Sequence, residues 1–243
     1  MAVATSLPGI VAVFALIFTY ISVNQGQQQL QVAEQGQITD RYNDAVVDLG
    51  STSLDERIGG IYALQGIMQD SSRDEPSIIE ILCSFIRVRS PAQPWIGVQA
   101  KDIDHFPTAP GADIEAAAEV LASRPPDNIA PDLNHADLAG LNLSDAEFAD
   151  ADLSGTDLRG SILNGADLSG ATLYQADLYG TILDKSRLTG LILNGANLAD
   201  ASIIDTNSLT VEQLVSAAPS RLDIPKGIPA SDPRVIAWQE RAN

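Results

Sequence analysis

The chain has 243 residues, 45% of them hydrophobic and 19% charged, a balance ordinary for a folded protein and a length that holds two modest domains. Its formal net charge of −18 excludes a general nucleic-acid binder, which needs a basic footprint. The single Cys83 excludes an internal disulfide and fits a reducing compartment, and His105 and His135 are the only imidazoles available to any catalytic scheme.

Leu7 to Val23 carries no charged residue. At roughly 17 residues it reaches the lower limit for a helix that crosses a bilayer, so a single membrane anchor over 1–24 is expected. A cleaved signal peptide fits less well, because Met1 to Ser6 lacks a basic residue and Ser22 to Gly26 offers no small-x-small cleavage site. Asn24 to Gln37 is glutamine-rich and reads as a juxtamembrane helix or spacer. Ile38, Tyr42, Ala45, Val46 and Leu49 then form a helical stripe closed by Gly50. Ser53 to Glu56 is a capping-box sequence opening a helix with Ile58, Ile61, Leu64, Ile67 and Met68 on one stripe. Asp74-Glu75-Pro76 opens another, carrying Ile78, Ile79, Leu82, Phe85 and Ile86. These segments predict a small helical bundle over 25–90. Gly59-Gly60 on its second helix admits a close neighbour, since a mid-helix glycine otherwise costs about 1 kcal/mol.

A proline-rich connector comes next over 91–112, with Trp95 and Phe106 as its large apolar residues. Its Asp102-x-Asp104-His105 has metal-ligand residue types but no second cluster to join, and reads as a solvated loop. Asp113 is expected to cap a helix through Leu121, and 113–130 to cover the near end of the segment beyond it. From 131 to 208 a leucine-type residue returns every fifth position: Leu133, Leu138, Leu143, Phe148, Leu153, Leu158, Leu163, Leu168, Leu173, Leu178, Leu183, Leu188, Leu193, Leu198 and Ile203. A small residue stands two places before most of them. Neither a helix nor a strand keeps such a period on one face, so the chain must turn corners and bury its leucines by stacking coil on coil. Leu141 and Leu191 put a large side chain at the small position, close to either end of the tract. The last segment, 209–243, predicts a cap helix from the Thr210 to Gln213 capping box, then an extended tail.

Units such as Ala166 to Gly170 (Ala-Asp-Leu-Ser-Gly) and Ala196 to Asp200 (Ala-Asn-Leu-Ala-Asp) resemble those of the pentapeptide-repeat family. The resemblance implies a right-handed quadrilateral β-helix, a solenoid with four units per coil. Gly36 to Tyr42, Arg57 to Leu64 and Phe85-Ile86-Arg87 look like the region joining anchor and repeats in a group of bacterial membrane pentapeptide-repeat proteins. In that group anchor, helical segment and repeats occur in this order, the soluble part is expected to be cytoplasmic, and no enzyme activity is attached. Many members carry two spans and a basic linker, whereas this chain shows one span and few basic residues. The expected fold is therefore mixed: a transmembrane helix, a small all-α segment, and a β-helix with helical caps.

With four units per coil, residues twenty apart stack. Asp137, Asp157, Asp177 and Asn197 then form an acidic outer column. A second column, Asn142, Ile162, Ile182 and Ser202, offers an apolar stripe, extended by Tyr174 and Tyr179 at other outward positions. Ile162, Ile182, Tyr174, Tyr179, Asp137, Asp157 and Asp177 are the candidate interaction surface. The leucine row from Leu138 to Leu198, with Phe148, is the candidate core. No nucleophile motif, phosphate-binding loop or paired-cysteine motif appears, so no catalytic, cofactor or metal residue is expected. The predicted protein is a non-enzymatic, membrane-tethered, single-pass interaction scaffold whose partners are the membrane and an unidentified protein, with oligomerisation open and direct nucleic-acid binding not expected. The alternatives are an acidic DNA mimic acting on an enzyme such as gyrase, as in the quinolone-resistance pentapeptide proteins, and an accessory subunit of a membrane complex.

Overall fold

A computed structural model describes residues 7–93, 109–124, 129–206, 209–218 and 228–241, with side chains in the first helix described from residue 16 onward. Trp95, Asp102, Asp104, His105 and Phe106 lie outside the described residues. The helices, in chain order, are α1 (Leu7–Leu49), α2 (Leu54–Asp70), α3 (Glu75–Arg89), α4 (Ala112–Ala122), α5 (Val211–Ser216) and α6 (Pro233–Glu240).

α1 runs for 43 residues without a break. The glutamine-rich stretch contains no proline, and its Gly26 and Gly36 stand in open space, so nothing there interrupts the helix. Among the side chains described for α1, the last turns pack: Ala45 and Leu49 are buried, with Ile38 and Tyr42 partly so, against α2. Among the described residues no helix is long and apolar enough to cross a membrane. The expected single-pass anchor over 1–24, with the membrane as partner and location, is corrected on that finding.

Ser53 caps α2 by accepting from Glu56 N–H, while the Glu56 carboxylate takes the Ser51 hydroxyl instead of the Ser53 N–H, so half of the expected capping box forms. Gly60 is where α1 and α2 touch: a Cβ there would stand 2.7 Å from the Ala45 carbonyl oxygen. Gly59 meets nothing within 4 Å. α4 is capped at Gly111, and Asp113 is not its cap. The Asp113 carboxylate is buried and takes Arg57 Nε at 2.7 Å, tying α4 to α2.

From residue 131 onward the described chain contains no extended strand or sheet, only isolated bridges, and the regular secondary structure of the described residues is helical. The expected β-helix is corrected accordingly. The physical reason is the unit length: in each five-residue unit the corner turn takes most of the backbone and leaves one residue to pair. Those single bridges are parallel and join residues twenty apart, in rows 132–152–172–192, 137–157–177–197, 142–162–182–202 and 147–167–187. Four units therefore make one turn of this repeat coil. Along the row from Leu133 to Leu183 the inward residue's N–H donates to a carbonyl nineteen residues on, as Leu158 to Asp177 at 2.8 Å, and from Asp152 to Ser202 the outward residue's N–H donates to one twenty-one residues back, as Asp157 to Ala136 at 2.9 Å.

The coil's interior is a leucine ladder. Leu138, Leu143, Phe148, Leu153, Leu158, Leu163, Leu168, Leu173, Leu178, Leu183, Leu188, Leu193 and Leu198 are all at most 1% exposed. Leu141 and Leu191 are buried too. Both coil ends are closed by hydrogen bonds. At the first coil, Asp137 N–H donates to Ser90 O and Ala92 N–H to His135 O, placing Pro91 antiparallel to Ala136. Arg124 adds Nη2 to Glu147 O at 3.0 Å. At the last coil, α5 carries the complete Thr210–Gln213 capping box, and Gln213 Nε2 donates to Leu188 O and Leu191 O. Within the described part of the segment expected as an extended tail, Pro233–Glu240 forms α6 instead: Asp232 caps it, Pro233 occupies its first turn, and Trp238 is buried with Nε1 on Ala217 O at 3.1 Å.

Candidate interaction surface

The corners of the coil decide where outward side chains point. Gly140, Gly155, Gly160, Gly165, Gly170, Gly180, Gly190 and Gly195 adopt positive φ, and His135, Asp145, Asp150, Gln175, Lys185, Asp200 and Asp205 adopt it at equivalent places. Ahead of many corners an Asp or Asn accepts the backbone N–H two residues on, as Asp137 from Ala139, Asp157 from Arg159, Asp177 from Tyr179 and Asn197 from Ala199. Such local bonds hold the turn, so the acid at this position is a device of the fold.

The aspartate side differs from the expected acidic line. Asp137 is half-buried, and Asp157 and Asp177 are only 4% and 5% exposed. Arg159 lies across them: Nε stands 2.9 Å from Asp157 Oδ1, Nη2 2.5 Å from Asp157 Oδ2, and Nε 3.6 Å from Asp177 Oδ2. Asn197 Nδ2 donates to Asp177 Oδ1 at 2.8 Å. Burial pushes the Asp137 and Asp177 carboxyls above the usual range; backbone N–H bonds oppose this, and the neighbouring Asp157 adds to it. Asp152, on the adjacent side, is also pulled upward by burial, but hydrogen bonds from Ser154 and Asn134 prevail and hold it below the usual range. The DNA-mimic alternative is corrected here: the carboxylates are turned inward and paired, and do not project as a charged line. Among the described residues no group of three or more His, Cys, Asp or Glu side chains is placed to hold a metal ion.

On the next side Ile162 and Ile182 bridge each other, flanked by Asn142 and Ser202, and both isoleucines are partly exposed. Tyr179, at the corner between this side and the aspartate side, is partly exposed, and its hydroxyl is hydrogen-bonded to Asp200, which raises its pKa above the ordinary tyrosine range. Tyr174 is exposed but follows Thr172, whose side is two units away and therefore opposite. The structure thus brings Ile162, Ile182 and Tyr179 together and separates Tyr174 from them. Ile204, 58% exposed, borders the same side at the last coil and was not anticipated. Its signal is legible in the register: it stands at the corner after Ser202, twenty residues from Asp184, whose Oδ1 takes both Ser202 Oγ and Ile204 N–H. Arg159 was also missed, although the same register puts it at the corner between Asp157 and the next side.

Comparison with known proteins finds the repeat units of the sequence. The family model described as pentapeptide repeats matches in 8 copies over residues 132–165 and 151–190, so this part of the chain is a pentapeptide-repeat tract. The solved structures similar to the chain include HetL, a pentapeptide repeat protein involved in heterocyst differentiation regulation from the cyanobacterium Nostoc sp. strain PCC 7120. It is 30% identical over 38% of this chain and 41% of its own, with a TM-score of 0.32. The pentapeptide repeat protein Rfr23 from the cyanobacterium Cyanothece 51142 is 32% identical over 32% of this chain and 56% of its own, with a TM-score of 0.21. A third, alr5209 from Nostoc PCC 7120, is 30% identical over 41% of this chain and 78% of its own, with a TM-score of 0.24. The chain spans less than two thirds of the length of the first two. No curated protein matches. The expected membrane-anchored member is therefore corrected: pentapeptide repeats are present, and no membrane anchoring is evident among the described residues. The repeat match supports a non-enzymatic protein.

Proposed function

We propose that the protein is a non-enzymatic binding module that takes a protein partner on the isoleucine side of its repeat coil, through Ile162, Ile182, Tyr179 and Ile204. The observation that carries this reading is chemical contrast. In a chain of net charge −18, the residues bridging along this side, Asn142, Ile162, Ile182 and Ser202, are all uncharged. The neighbouring carboxylates are engaged: Asp157 with Arg159, Asp177 with the Tyr179 N–H, Asp184 with the Ser202 hydroxyl and Ile204 N–H, and Asp200 with the Tyr179 hydroxyl. An uncharged apolar strip bordered by a tyrosine with a fixed hydroxyl suits a partner surface with apolar and hydrogen-bonding groups, because the strip's own residues carry no charge to desolvate. Asp137, Asp157 and Asp177 support that strip from the adjacent side instead of contacting the partner, and Tyr174 lies outside it.

The test is affinity purification of the full chain against an Ile162→Ser/Ile182→Ser variant shown to melt like the parent. Specific loss of a co-purifying protein from the variant supports the reading, and the same set of proteins from both chains rules it out. Tyr174→Ser serves as the contrast and is expected to retain the partner.

A further inference from the structure

The aspartate side stacks three carboxylates at successive coils, and the spacing of hydrogen-bonded backbones puts neighbouring levels only about 4.8 Å apart. Asp157 and Asp177 are too buried for water to screen their repulsion. Among the described residues one cation faces them, Arg159, which grips Asp157 with Nε and Nη2 and reaches Asp177 from the same nitrogen plane. Asn197 supplies an amide donor at the last level.

The remaining groups around this side do not replace that cation. The segment Ser90 to Ala92, packed on the first coil, offers backbone and a hydroxyl: Asp137 N–H donates to Ser90 O, and Ser90 Oγ to Asp137 O. The preceding corner carries His135 at the first coil, folded over Gly155. The following corner carries Tyr179, bonded to Asp200. Ala109, from the chain leading into α4, meets Gly140 through a methyl group.

We propose that Arg159 is a latch that makes this side of the coil stable near neutral pH, and that protons take over its role in acid. The raised carboxyls of Asp137 and Asp177, lifted first by burial, act in the same direction. A carboxyl whose pKa is higher in the fold than in the unfolded chain holds a proton that the unfolded chain has released. Its stabilisation is complete below the ordinary aspartate range and fades as pH rises through the raised value. Above that window Asp137 and Asp177 have given up those protons, and Arg159 is the cation among the described residues left facing this side.

Amide hydrogen exchange at Leu158, Asp177 and Leu178 in the full chain reads this side directly, as a ratio of variant to parent at each pH. Arg159→Gln is expected to raise that ratio roughly tenfold near neutral pH, the equivalent of one pKa unit, and to bring it back toward one in acid. Adding Asp177→Asn to Arg159→Gln restores slow exchange at neutral pH, since the asparagine keeps the Tyr179 N–H bond and removes a charge. A ratio equally large at both pH values, or a double variant as fast as the single one, overturns the proposal. If Arg159→Gln does not fold, Asp177→Asn alone decides: slower exchange than the parent near neutral pH, vanishing in acid, supports the latch, and no change at either pH overturns it.

Discussion

A methyl group at Gly155 would stand 2.3 Å from His135 Nδ1, because the histidine on one coil folds down over the glycine on the next. The same relation holds between Asp145 and Gly165 and between Asp150 and Gly170. Corner columns therefore place a side chain over a glycine, and each such glycine also has a φ between +64° and +72°. Gly155→Ala is expected to cost about 1–2 kcal/mol from the left-handed backbone alone, read as a lower urea midpoint at unchanged slope. His135→Ala should leave that backbone cost in place while relieving the contact. Cys83 makes a second prediction at this scale. Burial pushes its thiol up to about 12, opposed by a backbone bond from Asp132 and by nearby arginines. It should resist iodoacetamide at neutral pH in the folded chain and react once urea unfolds the protein, and rapid labelling of the native chain would contradict its burial on α3 beside Ile79, Leu82 and Ile86.

Among the elements, α4 depends on a contact that closes over 56 residues of sequence, Arg57 Nε to Asp113 Oδ2 at 2.7 Å. Arg57 also donates from Nη1 to Ser51 O and Thr52 O, so one guanidinium joins the end of α1, the start of α2 and the start of α4. Both side chains are nearly buried, which makes removal of one partner expensive: Arg57→Ala is expected to destabilise by about 3–5 kcal/mol, whereas an Arg57→Ala/Asp113→Ala pair should cost less than the sum of the single changes. A thermodynamic cycle from urea melts checks it, and strict additivity would show that the pair is not coupled. Helix ends were legible where the whole local pattern formed, and misread at α4, where Gly111 and not Asp113 is the cap. Thr210–Gln213 forms its full capping box, and Asp232-Pro233 is an N-terminal signal that the surrounding prolines obscured. The Ser53–Glu56 pattern realised only half, because Ser51 competes for the glutamate.

At the scale of the molecule, the repeat coil is finished at each end by chain that is not repeat. Ser90 to Ala92 and Arg124 close the first coil, and Ser216, Ala218 and Gln213 bond the last one at Gly195, Ala196, Leu188 and Leu191. An unpaired edge on such a stack is a template for association. A chain shortened before Val211 should therefore elute with larger species than the full chain in size-exclusion chromatography with light scattering. Identical profiles would show that α5 and α6 do not guard the edge.

The sequence by itself determined the repeat register and its inward row, because a five-residue period with leucine at one place and a small residue two before it has only one economical way to bury its apolar atoms. Leu138 through Leu198 could be assigned inside from spacing alone, as could the stripes of α2 and α3. It also determined the corners, where glycine recurs. Only the tertiary structure decided what the outside does. Asp157 and Asp177 look like a projecting charged column in the register, yet the rotamer of one arginine and the stacking of one asparagine turn them into a buried pair of acceptors. Tyr174 and Tyr179 are five residues apart, but the turn of the coil sends them to different corners, and only one borders the isoleucines. The extended-strand reading failed for a related reason: period reports which residues share an interior, while the length of each paired segment is set by how much backbone the corners consume.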